Sequence, residues 1–137
     1  MTALAAIAAP EQTTPATAGP FASALRLAAD LIDHMRRSDP DIRVSVSAMD
    51  GIGSELPEVR FLFHGTDRQA LASLSGATFT LDVPVTVSDP SPALDDGVWV
   101  GGFVVRDGVT VTFRTGLHDP EVIAHARRMF PDGTGGW

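Results

Sequence analysis

The segment 98–115 places the tightest constraint on what this chain can fold into. Two runs rich in β-branched and aromatic residues flank the dipeptide Asp107-Gly108. Aspartate followed by glycine suits the two positive-φ positions of a type I′ turn, which joins two antiparallel strands. The segment therefore predicts a β-hairpin with strands at 98–106 and 109–115.

Alternation along this hairpin predicts which side chains face the core. The second strand has Val109, Val111 and Phe113 on one side and Thr110, Thr112 and Arg114 on the other. We expect the apolar side to face the core. In the first strand Trp99 points away from Val98 and Val100, so one of these two sides must leave the core. Gly101-Gly102 then predicts either a bulge or a close approach of another backbone.

Helical spacing marks both ends of the domain. Segment 20–37 carries one apolar stripe, made of Phe21, Ala24, Leu25, Ala28, Leu31, Ile32 and Met35. A stripe at three- and four-residue spacing predicts an amphipathic helix, for which Pro20 suits the first turn. Asp119 and Pro120 predict the start of a last helix in the same way.

Shorter patterns fill the first half of the chain between these helices. Period-two alternation predicts strands at 44–47 and 59–64, joined as a hairpin by a long loop. Thr66 or Asp67 can cap a short helix, and Gly76 is predicted to end it.

The next predicted element is a strand at 77–87, in which Pro84 marks an edge, a bulge or a break. The resulting order is α-β-β-α-β-β-β-α. It predicts a two-layer α+β domain with a mainly antiparallel sheet of about five strands and helices on one face. The domain spans 20–131, and segments 1–19 and 132–137 are expected to be flexible tails.

Composition excludes several kinds of chemistry. The chain has no cysteine, lysine, asparagine or tyrosine, so thiolate zinc sites, Schiff bases and Walker motifs are impossible. Its net charge of −7 argues against nucleic acid as a partner. No glycine-rich phosphate loop, HExxH pair or calcium loop occurs, so we expect neither a cofactor nor a metal. No apolar run is long enough to span a bilayer, which favours a cytoplasmic protein with no membrane partner.

Two tryptophans and a proline are the candidate protein-binding residues. If Trp99 faces outward beside an edge that contains Pro84, the two make a docking patch, because tryptophan is enriched at binding hot spots. Trp137 is a second, terminal candidate. The other interpretation is that Trp99 belongs to the core or rests under the loop 88–97. Self-association through the edge of the predicted strand 77–87 is a further possibility.

A different set of residues points to a ligand. His64 is predicted at a strand-to-helix junction, where it could act as a base for a nucleophilic serine, for which Ser45, Ser47, Ser54 and Ser73 are available. With Asp67 and His118 it could line a cleft between the sheet and the helices, as in a small-molecule-binding domain or a minimal hydrolase. No nucleophile elbow supports the hydrolase.

The absence of a catalytic motif favours a non-enzymatic function. We expect a small acidic accessory module that binds another protein, and the pocket residues provide the alternative. Lysine, asparagine and tyrosine use codons rich in A and T, so their absence suggests a GC-rich bacterial genome. Together with the small size, this suggests an accessory protein of a mobile element or phage.

Overall fold

Three helices and five strands form the described part of the chain, residues 19–51 and 55–131 of a computed structural model. The elements are α1 (Pro20–Ser38), β1 (Val44–Met49), β2 (Glu58–Phe63), α2 (Asp67–Thr80), β3 (Thr86–Val87), β4 (Val98–Arg106), β5 (Val109–Leu117) and α3 (Pro120–Met129). Their order confirms the predicted α-β-β-α-β-β-β-α sequence. The predicted tails lie outside these ranges, apart from Gly19. No described helix has the length and apolar character needed to cross a membrane.

The sheet has five strands in the order β1-β2-β5-β4-β3. All neighbouring pairs are antiparallel except β2 and β5, which run parallel with Val59 opposite Val111. This confirms the predicted α+β fold with a mainly antiparallel sheet. The parallel pair joins the N-terminal hairpin β1–β2 to the C-terminal hairpin β4–β5.

The β4–β5 hairpin forms as its sequence predicts. Asp107 and Gly108 both have positive φ, 53° and 75°, as a type I′ turn requires. The register from Val98↔Leu117 to Arg106↔Val109 is continuous, so the glycine pair in β4 makes no bulge. The other predicted cause, a close approach of a second backbone, is the correct one.

Local capping fixes the starts of the helices. Thr66 caps α2 in a reciprocal capping box, in which its side chain accepts from the Gln69 amide and the Gln69 side chain accepts from the Thr66 amide. Asp119 caps α3 by accepting from the Glu121 amide at 2.9 Å. Pro20 and Pro120 occupy the first turns of α1 and α3, as predicted.

The core lies between the helices and one face of the sheet. Phe61 of β2 and Phe113 of β5 are both buried and stack with ring centroids 5.3 Å apart. Around them lie buried valines of β2, β4 and β5 and the inward faces of the helices. Burial of these apolar side chains is the main stabilising contribution to such a layer.

The prediction that Gly76 ends the second helix was wrong, and so was a strand across 77–87. Helix α2 continues to Thr80, and Asp82 at φ 58° follows its end. Glycine in a helix costs only about 1 kcal/mol relative to alanine, so a neighbouring favourable context overrides it. As a result Phe79, which a strand would place on the same side as Leu81 and Val83, lies near the end of α2 and is 88% exposed.

The edge predicted near Pro84 exists but is much shorter. Only Thr86–Val87 forms strand β3, which pairs with β4 and ends the sheet. Proline has no amide hydrogen to donate to a strand ladder, which is consistent with pairing beginning after Pro84.

The apolar stripe of α1 is narrower than predicted. Ala24 and Leu31 are buried, whereas Phe21 is 37% and Leu25 49% exposed. Adjacent helical residues point about 100° apart, so Leu25 turns away from the line of contact that Ala24 makes with the sheet.

Candidate functional site

One face of the sheet carries no helix among the described residues, and we call it the open face. Strand alternation places on it Ser45, Ser47 and Met49 of β1, Glu58, Arg60 and Leu62 of β2, Trp99, Phe103 and Val105 of β4, and Thr110, Thr112 and Arg114 of β5. The buried residues of all three helices belong to the core on the opposite face. The open face is therefore a broad surface presented to the surroundings.

A polar cluster occupies the middle of the open face. The Glu58 carboxylate accepts hydrogen bonds from Arg60 Nε at 2.9 Å and from Thr112 Oγ1 at 3.0 Å. The bond from Arg60 holds the pKa of Glu58 below its ordinary value, with help from Thr112 and against the effect of burial. The same bond raises the pKa of Arg60. The cluster links β2 to β5 across the parallel pair.

The lowered pKa of Glu58 predicts a pH-dependent contribution to stability. An ordinary glutamate titrates near 4.5. The ionised form of Glu58 therefore stabilises the fold above that pH, and this contribution is lost as pH falls through the lower, folded-state value. We expect Glu58→Gln to lower the free energy of unfolding at about pH 7 and to have a progressively smaller effect as the pH falls below 4.5 and through the lower, folded-state pKa of Glu58. Urea unfolding at a series of pH values measures the difference.

The control for this prediction is Glu121→Gln. The Glu121 side chain is 84% exposed and lies 3.6 Å from Arg68, so its loss should change stability little at any pH. A Glu58→Gln effect that is equally large at both ends of the pH series would contradict the proposed role of the Glu58 charge.

Trp99 lies beside this cluster and contacts Arg114. The Arg114 guanidinium carbon is 4.2 Å from the centre of the indole ring, a cation–π contact. Burial lowers the pKa of Arg114, and the nearby charge of Arg60 lowers it further, while Glu58 offsets part of the effect. The positive charges of Arg60 and Arg114 therefore repel each other across the open face.

The loop that follows β3 covers part of Trp99. Residues 88–92 and the Trp99–Arg114 pair line a hollow of about 310 Å³. Ser88 holds the loop in place, because its Oγ accepts from the Trp99 amide and its carbonyl accepts from Arg127. Trp99 therefore points away from the core, and it is half-buried rather than free.

The remaining predicted docking residues are less closely grouped. Pro84 is exposed and lies against β4 at Gly102. Trp137 lies outside the described residues. Phe103, which is 61% exposed, and Val105, which is 54% exposed, form the most accessible apolar surface of the open face. Neither residue was among the predicted binding residues, although Phe103 lies four and Val105 six residues after Trp99, which places both on its side of β4.

A groove lies on another side of the molecule, between the end of α1 and α2. Its volume is about 750 Å³, and its lining includes Arg43, His64, Ser73 and Thr80. The Nε2 atom of His64 and the Oγ atom of Ser45 are 2.5 Å apart. Such a pair can in principle move a proton from serine to histidine. Among the described residues no carboxylate orients the other ring nitrogen of His64.

Asp67 and His118 contact each other outside the groove, where the Asp67 side chain binds the backbone amide of His118. Asp67 Oδ2 accepts hydrogen bonds from the amides of His118 and Asp119, both at 2.7 Å. This carboxylate therefore ties the start of α2 to the start of α3. Of the three predicted ligand-binding residues, only His64 lines the groove. Across 19–51 and 55–131, no group of three histidine or carboxylate side chains is arranged to hold a metal ion.

No family model matches this chain, and neither a curated protein nor a solved structure shows significant similarity to it.

Proposed function

We propose that this chain is a small non-enzymatic accessory module that binds another protein on its open face. The observation that carries the proposal is the exposure of Phe103 and Val105 beside Trp99, on a sheet face that no described helix covers. Exposed large apolar and aromatic side chains that lie next to one another are more typical of a protein-binding surface than of an ordinary solvent-exposed surface.

Charge on the open face indicates the chemistry of the partner. The chain as a whole carries −7, yet the strands place Arg60 and Arg114 on this face and only one carboxylate, that of Glu58. A second carboxylate, Asp89 of the adjoining loop, lines the hollow beside Arg114. A partner segment with acidic side chains beside apolar ones complements that arrangement. Acidic side chains would meet the guanidinium groups while apolar ones cover Phe103.

The biological setting of the proposal follows from composition. We place the protein in the cytoplasm of a GC-rich bacterium, as an accessory protein of a mobile element or phage. The absence of lysine, asparagine and tyrosine and the small size support this setting.

The test compares two surface phenylalanines. Phe103→Asp adds a charge to the open face, whereas Phe79→Asp adds the same charge to α2, where Phe79 is 88% exposed. We expect a protein captured from the natural host by the wild-type chain to be captured equally by Phe79→Asp. Phe103→Asp should weaken its binding about tenfold or more, as loss of a hot-spot residue does. Binding constants are measured with the purified partner.

Each outcome of this comparison bears on the proposal. Equal binding by both variants would exclude the open face as the docking surface. Loss of binding in Phe79→Asp alone would place the interface on α2. Failure of the wild-type chain to capture any protein would count against a binding module.

A second candidate function is supported by the groove beside α2. Its volume of about 750 Å³ is in the range of small-molecule sites, and its lining combines Arg43 and His64 with Asp39 and Asp41. Under this candidate a small ligand binds there, or a minimal hydrolase uses His64 as the base for Ser45, which lies on the open face and not in the lining of the groove. His64→Ala separates the candidates, because it changes the groove and leaves Phe103 untouched.

A further inference from the structure

Strand β1 exposes a row of backbone hydrogen-bonding groups at one edge of the sheet. The His64 amide donates to the Arg43 carbonyl at 2.9 Å, so these two residues are a hydrogen-bonded pair of the β1–β2 ladder. Hydrogen-bonded pairs alternate along an antiparallel ladder. The amides and carbonyls of Val44, Val46 and Ala48 therefore point outward, away from β2. Within the described ranges β1 has no second neighbouring strand.

This edge lacks the features that normally prevent strands from pairing. Its sequence from 44 to 49 is VSVSAM, with no charged residue and no proline. Natural edge strands are usually protected by charge, proline, a bulge or very short length. The opposite edge, β3, is protected in that way, because it has two residues and follows Pro84. Within 19–51 and 55–131, the β1 edge is the one that remains open to another strand.

The helical layer covers the outer edge of β1 only partly. Val46 and Phe61 are directly opposite each other and point to the helix side of the sheet. Phe61 is fully buried, whereas Val46 is 38% exposed. On α1, which packs on β1 and β2, Leu25 is 49% exposed. An apolar strip thus runs along the edge beside the outward backbone groups.

We propose that two copies of this chain pair through β1 to form an antiparallel, two-fold symmetric dimer. Val46 lies opposite Val46 of the second copy, and Val44 lies opposite Ala48. In this register the outward amides and carbonyls of Val44, Val46 and Ala48 lie opposite those of the second copy. The three hydrogen-bonded pairs make about six hydrogen bonds between the copies. The helices of both copies lie on the same side, and the two sheets join into one. This proposal concerns the edge of the sheet and is independent of the proposed function of the open face.

The sequence of β1 indicates a second copy rather than an unrelated strand. It reads almost identically in either direction from Val46, so a second copy presents valine or alanine opposite each outward residue, and Ser45 lies opposite Ser47. Arg43 precedes the strand and Asp50 follows it, and both side chains are exposed. In this register Arg43 lies opposite Met49 of the second copy, so the strand ends place no like charges opposite each other.

The test uses charges of opposite sign at the position that meets itself. We expect sedimentation equilibrium of the wild-type chain to show a dimer. In Val46→Lys two like charges lie opposite each other, so the dimer dissociation constant should rise about tenfold or more, and Val46→Glu should behave in the same way. Mixing the two variants should restore the dimer, because lysine then faces glutamate. Val105→Lys, the same change on an interior strand, is the matched control and should remain dimeric.

Several results would overturn the proposal. A wild-type chain that stays monomeric up to millimolar concentration excludes the dimer. A dimer that Val46→Lys leaves intact uses another surface, and a mixture that stays monomeric excludes the two-fold register. If circular dichroism shows that Val46→Lys does not fold, Val46→Pro replaces it, since this amide points outward and its loss breaks no bond to β2. A dimer that survives Val46→Pro likewise excludes pairing through β1.

Discussion

Gly102→Ala is expected to lower the free energy of unfolding by about 3 kcal/mol, the upper part of the range for overpacked interiors. A methyl group added to Gly102 would lie 1.8 Å from the Pro84 carbonyl oxygen. That oxygen belongs to the backbone and cannot move aside as a flexible side chain can. The segment before β3 must therefore shift away from β4, which disturbs the buried side chain of Val83 and the β3–β4 pairing. Urea unfolding followed by circular dichroism measures the change.

Gly76→Ala is the matched control for this prediction. Gly76 lies inside α2, and a methyl group added there meets nothing within 4 Å. Alanine is favoured over glycine in a helix by about 1 kcal/mol, so the same substitution should stabilise the protein at this position. Equal stability of Gly102→Ala and the wild type would show that the two backbones are not in close contact.

Asp67→Ala is expected to lower the free energy of unfolding by about 1 to 2 kcal/mol, as loss of charge-assisted hydrogen bonds does. One carboxylate oxygen of Asp67 accepts from two successive amides, those of His118 and Asp119. Removing it leaves the start of α3 without this link to α2. Asp67→Asn keeps an acceptor oxygen but loses the charge, so its stability should be intermediate. Chemical unfolding of the three proteins under one set of conditions gives the order.

This prediction also separates two roles for Asp67. If Asp67 only bound a ligand, its substitution by alanine would change the free energy of unfolding little. If its carboxylate links two helices, the same substitution should lower that free energy clearly. Asp33→Ala serves as the control, since Asp33 is exposed on α1 and its loss should change stability by less than about 0.5 kcal/mol. If Asp67→Ala and Asp33→Ala are equally stable, the structural role is excluded.

Local patterns predicted most of the secondary structure because their determinants are close in sequence. The hairpin turn depends on two adjacent residues, Asp107 and Gly108. The helix starts also depend on nearby residues: Pro20 for α1, the Thr66 cap for α2, and Asp119 with Pro120 for α3. The end of α2 could not be predicted in this way. Segment 77–80 alternates like a strand, and only the packing of Ala77 and Thr78 into the core shows that the helix continues.

The candidate site was only partly predictable. Alternation in β4 correctly predicted that Trp99 lies on the opposite face from Val98 and Val100. In the structure Val98 and Val100 are buried in the core, and Trp99 lies on the open face. The polar cluster could not be predicted from the sequence, because Glu58 and Thr112 are 54 positions apart and come into contact only through the parallel β2–β5 pair. No periodicity within either strand encodes that pairing.

The parallel β2–β5 pair also has a consequence for how the chain reaches this structure. Each hairpin closes between nearby residues, a step that takes about 1–10 μs in simple systems. Docking of the two hairpins instead joins Val59 to Val111, so the intervening chain, including α2, must first be ordered enough to bring them together. The slow event in folding should therefore be this central docking. Until the two hairpins dock, β2 and β5 each have an unpaired edge. In the folded protein these edges pair with each other, and the sheet has free edges only at β1 and β3 among the described strands.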